Sequence, residues 1–108
     1  MQRLERWQPL LREAATERDV VRIVREYVDL WSAEERAGLP VGVNPWNATT
    51  RQGIAECAVD LARAELVFAG DEETRRRLAD MKTIFRDAVT RFGQISQEAR
   101  LLGPQSEG

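Results

Sequence analysis

Residues 71–102, DEETRRRLADMKTIFRDAVTRFGQISQEARLL, decide the fold class. Within them Leu78, Met81, Phe85, Ala88, Phe92, Ile95, Ala99 and Leu102 follow one another at steps of 3, 4, 3, 4, 3, 4 and 3. That alternation is the heptad seam along which one helix sets its side chains into the gaps of another. Asp71 stands where an N-cap belongs, and Asp71, Glu72 and Glu73 precede Arg75, Arg76 and Arg77 by four residues each. Acid before base at that spacing supports a helix by about 0.2–0.5 kcal/mol per pair. The arginine cluster is therefore expected to be a paired, solvated face, with nucleic-acid binding through Arg75–Arg77 kept only as the weakest alternative function. Gly93 lies off the seam; it either ends the helix or costs about 1 kcal/mol relative to alanine. Uninterrupted, the helix would span about 48 Å at 1.5 Å per residue.

Working back along the chain, the same spacing recurs. Ile54, Cys57, Leu61, Ala64 and Phe68 predict a helix over about 50–69, stopped by Gly70. Val20, Ile23, Val24, Tyr27, Val28, Leu30 and Trp31 form one face of a helix starting at about 17, with Arg22, Arg25, Glu26 and Asp29 opposite. Thr16 with Asp19 resembles a capping box for that helix, and Ser32 with Glu35 makes one for a short turn over 33–37. Leu4, Trp7, Leu11 and Ala14 predict a first helix over about 3–15. Pro9, comfortable only in a first turn, points to a start near Gln8 instead. The stretch 38–50, rich in glycine, proline and asparagine, reads as a loop longer than the usual helix–helix connection. Trp46 within it is expected to plug one end of the core or to anchor a partner.

No run of four to eight residues alternates in the manner of a strand. The expected fold is all-α: a small antiparallel bundle of about four helices with one long loop at about 38–50. A single domain over 1–102 would be followed by a disordered tail over 103–108.

Composition narrows the chemistry. The 108 residues carry 16 basic and 18 acidic side chains, one cysteine and no histidine. Histidine-dependent nucleophilic catalysis and histidine-ligated zinc or iron are thereby excluded. Cys57 sits on the apolar seam, where a thiol serves as a small hydrophobe. Basic and acidic residues balance along the chain: seven and eight over 1–37, two and three over 38–70, seven and seven over 71–108. Neither the basic face of a nucleic-acid binder nor the basic stripe of a membrane-surface helix stands out. With no long apolar run and a charged start, the chain is expected to be cytoplasmic, without membrane contact, cofactor or metal.

Two features invite function. A last helix reaching residue 102 would overhang its neighbour, leaving the apolar residues of 85–102, chiefly Phe92, Ile95 and Leu102, for a second copy or another protein. Glu65 falls on the apolar side of its helix, between Leu61 and Ala58, where an ionisable group is either functional or paired with a neighbouring helix. The expected function is non-enzymatic protein–protein contact, as a self-associating scaffold, adaptor or regulatory subunit. Its candidate interface is Trp46, Phe92, Ile95 and Leu102, and a homodimer is the simplest form. The alternative is a small apolar or anionic ligand held in the core near Trp31 and Glu65.

Overall fold

A computed structural model describes residues 4–107, with side chains up to residue 101. Helix α1 covers Leu4–Glu13, α2 Glu17–Asp29, α3 Ala33–Ala37, α4 Arg51–Val67 and α5 Glu72–Glu107; a 3-10 turn lies at Pro45–Asn47. Among the described residues there is no strand, so the fold is all-α. Capping residues set the boundaries, Thr16 and Ser32 as expected and Thr50 in addition. Thr16 accepts the Asp19 N–H at 3.1 Å, Thr50 accepts the Gly53 N–H at 3.0 Å, and Ser32 with Glu35 forms a complete box. Each cap satisfies an N–H that the first turn leaves open and contributes about 1 kcal/mol.

Helix α5 is the spine on which α1, α2 and α4 all pack. At one end Arg51, opening α4, meets both Glu17, opening α2, and Ser96 of α5. At the other, Glu35 just beyond α2 pairs with Arg77, while Glu65 late in α4 pairs with Lys82. So α2 and α4 both run antiparallel to α5, and parallel to each other. The long connection follows from this, because a chain leaving α2 must return the length of the bundle before it can start α4. On the way Trp46 donates its indole N–H to the Val28 carbonyl at 2.9 Å and stacks edge-on against Trp31 at 6.2 Å. Helix α1 lies over the remaining face of α5, held by Gln8 to Asp87 (2.8 Å) and by Arg91 to the Ala14 carbonyl (2.9 Å).

Several expectations are corrected. Helix α1 starts at Leu4, as the spacing of Leu4, Trp7 and Leu11 predicts, and not near Gln8, so it carries Pro9 in its interior. The bond that Pro9 cannot donate would have gone to the carbonyl of exposed Glu5, where water can replace it, while buried Trp7 and Leu11 hold the helix in place. Of the three pairs expected after Asp71, only Glu73–Arg77 forms, at 2.6 Å. Asp71 instead caps Thr74, and Arg75 donates to the Phe68 carbonyl at the α4–α5 turn. At that turn Phe68 folds back over Gly70, where a Cβ would meet its ring at 2.3 Å, so any other residue there would displace it.

The last helix passes Gly93 and continues to Glu107, through most of the segment expected as a tail. The side chains from Leu102 onward, and Gly108 altogether, lie outside the described residues. Phe92 is 1% exposed, in the same buried cluster as Trp7 and Leu11, with the Arg51 guanidinium over its ring. The expected overhang therefore begins only after Ser96, because α1 and the first turn of α4 close around Phe92. Among the described residues no helix is long and apolar enough to cross a membrane.

Candidate functional site

Helix α4 departs from the binary pattern. Ile54, Cys57, Ala58, Leu61 and Ala64 are buried, as their spacing predicts. Yet Ala55, Val59, Ala62 and Leu66, stepping 4, 3 and 4, make a second apolar stripe on the outer side. A helix apolar on two faces is expected between two neighbours, and here only one face is covered. Val59 is 50% exposed and Leu66 86% exposed. With Val89 of α5 they line a groove of about 430 Å³, rimmed by Arg63 and Arg86. Its floor is apolar and its spacing is that of a helix seam, so its shape is matched by another helix. The sequence shows this stripe as clearly as the inner one. It is hidden by the strength of the seam in 71–102, which draws the search for an interface to the last helix.

The residues singled out from sequence fall elsewhere. Trp46 is partly buried and closes the core: besides Val28 and Trp31 it takes the Arg36 guanidinium on its ring at 4.8 Å, and Arg25 donates to its carbonyl at 2.6 Å. Phe92 is core, and Ile95 is partly buried against it. Leu102 lies outside the described side chains. Trp46, Phe92 and Ile95 are thus not brought together as one exposed surface. Glu65 is ion-paired with Lys82 of α5 at the flank of the α4–α5 contact. Trp31 lies in a different place, in a row of edge-to-face rings formed by Trp7, Tyr27, Trp31 and Trp46, with successive centroids 5.7, 6.5 and 6.2 Å apart. A ligand site shared by Trp31 and Glu65 is therefore not what the fold builds.

Cys57 is buried, and burial pushes its thiol up to about 12, helped by the negative charge of Asp60. A group so held is a poor nucleophile. Among the described residues no cluster of three His, Cys, Asp or Glu could hold a metal ion. The fold and the outer stripe define a small helical bundle with one helix-packing face left open. Set against protein-family models, curated proteins and solved structures, the chain finds no match in any of the three.

Proposed function

We propose that this chain works by protein–protein contact, as a self-associating helical module, and that the outer face of α4 is the contact surface. The observation that carries the proposal is the stripe Ala55, Val59, Ala62 and Leu66 at helix-packing spacing, with Val59 and Leu66 exposed and the two alanines half-buried over the apolar groove with Val89. The occupant is a second copy of α4, laid antiparallel. In that register Val59 meets Ala62 of the second copy, Leu66 meets its Ala55, and the flanking Glu56 meets its Arg63. Two-fold symmetry repeats each contact, giving two crossed Glu–Arg pairs. Arg63 is exposed and makes no ion pair within the chain among the described residues, while Glu56 binds only the side chain of Gln52. Both are thus free to pair across the interface without breaking anything inside the chain. Moving the dimer contact from the last helix to α4 keeps the functional class and changes the address.

Sedimentation equilibrium on the intact chain tests this. The wild type should show twice the chain mass, and Leu66→Glu should return it to the monomer with its helical spectrum intact, since Leu66 makes little contact inside the chain. Arg63→Glu should weaken the dimer, and adding Glu56→Arg should restore it, because the swap re-creates both crossed pairs. A wild type that stays monomeric at about 100 μM, well above working concentrations for specific dimers, would overturn the proposal. A dimer indifferent to Leu66→Glu would place the interface elsewhere.

A further inference from the structure

Where α2 stops and α5 starts, a cavity of about 300 Å³ opens at the end of the bundle. Tyr27 of α2 and Trp31, four residues on and just past the end of that helix, form its aromatic floor. Its walls carry four carboxylates, from Glu35, Glu72, Glu73 and Asp80, against two guanidiniums, from Arg76 and Arg77. Arg77 is already divided between Glu35 at 3.3 Å and Glu73 at 2.6 Å. The second oxygen of Glu35 accepts the Ser32 backbone N–H at 2.8 Å. Asp80 stands apart: it makes no ion pair or hydrogen bond among the described residues. Partial burial lifts its carboxyl above the ordinary range, against the smaller pull of Arg76.

Tyr27 supplies a second, independent sign. It is 2% exposed and lines this cavity. Its hydroxyl makes no hydrogen bond among the described residues, and the neighbouring indole of Trp31 carries a donor only. The phenol proton is therefore left without an acceptor on the protein. A phenol on the cavity lining takes its acceptor from outside the chain.

We propose that this cavity binds a small organic cation carrying an oxygen next to its charge, an amino alcohol in chemical class. The ammonium takes the surplus negative charge at Asp80 over the Tyr27 and Trp31 rings, and the oxygen accepts the Tyr27 proton. Carboxylates and aromatic rings together favour a cation, and two uncompensated negative charges repel an anion, one of the two ligand classes (apolar or anionic) kept from sequence as the alternative. The volume sits at the small end of ligand pockets, which limits the occupant to a few heavy atoms.

Choline is the probe, followed by the backbone and indole N–H resonances of Tyr27 and Trp31 in the intact chain. It should shift both saturably. Its neutral isostere 3,3-dimethylbutan-1-ol should bind roughly tenfold more weakly, the order expected for losing a cation–π and charge contact. Asp80→Asn should weaken choline by a similar factor without changing the melting curve's shape. Tyr27→Phe should weaken choline but leave tetramethylammonium, which has no oxygen, unchanged. Equal binding of choline and the isostere would show an apolar cavity and overturn the proposal. So would Asp80→Asn without effect, or the absence of saturable shifts. None of these outcomes depends on the state of association at α4.

Discussion

Cys57 shows how much one side chain's surroundings decide. By sequence it could be a nucleophile, a ligand or a packing residue, and the seam position favours the last. The structure gives the physical reason: apolar neighbours remove the thiolate's solvation and Asp60 adds repulsion, so ionisation is deferred to about pH 12. Only the thiolate attacks disulfide reagents. A rise of about three units above an ordinary thiol lowers its population at pH 8 by roughly a thousandfold. Folded protein should accordingly react with Ellman's reagent about a thousand times more slowly than the chain in guanidinium, and one thiol per chain should appear on unfolding. Rapid labelling of the folded protein would show that Cys57 is reachable and that α4 is looser than its packing implies.

At the scale of helices, Gly93 and Gly70 carry the same residue type with opposite consequences. Gly70 lies under the Phe68 ring, where any Cβ collides. Gly93 lies inside α5, exposed, and a Cβ there would meet nothing within 4 Å. Its only effect is the backbone freedom it gives the unfolded chain, so Gly93→Ala should stabilise the fold by about 1 kcal/mol. That corresponds to a rise of about 4–8 °C in melting temperature for a domain of this size. A melting point unchanged or lowered would mean that α5 is not continuous through residue 93. The heptad steps, the Thr16, Ser32 and Asp71 caps and the two-sided face of α2 were legible in the sequence because each is a local pattern, fixed by neighbours three or four residues away. The cover over Phe92 was not, since it comes from α1 and from Arg51 at the start of α4, both remote in the chain. Whether an apolar stripe is core or surface depends on which elements are left over to cover it. For that reason the exposed stripe of α4 and the buried seam of α5 could not be told apart by periodicity. The cavity beside Tyr27 was illegible on the same ground, as its walls come from α2, α3 and α5.

For the whole molecule, the decisive feature is that α2 and α4 run parallel. Two parallel helices on one spine cannot be joined by a tight turn, so residues 30–50 travel back along the bundle as a strap without a core of their own. Such a strap costs conformational entropy unless something pins it. Trp46 is the pin, combining an indole hydrogen bond to Val28, an edge-on stack on Trp31 and the Arg36 cation on its open face. The Arg25 guanidinium on its carbonyl fixes the backbone beside it. Removing the side chain leaves the Val28 carbonyl without that partner and opens the end of the aromatic row. Because the strap links α2 to α4, the loss should be felt as global stability and not as fraying of one loop. Trp46→Ala should cost about 3 kcal/mol, in the range for large aromatic deletions. Trp46→Phe, which keeps the stack and gives up only the hydrogen bond, should cost about 1 kcal/mol. Urea denaturation followed by circular dichroism reads both, with midpoints that fall in that order and slopes that stay constant. A Trp46→Ala midpoint within error of wild type would mean that the strap is held elsewhere. It would also free Trp46 for the second of the two roles its place in the loop allows, an anchor for another molecule.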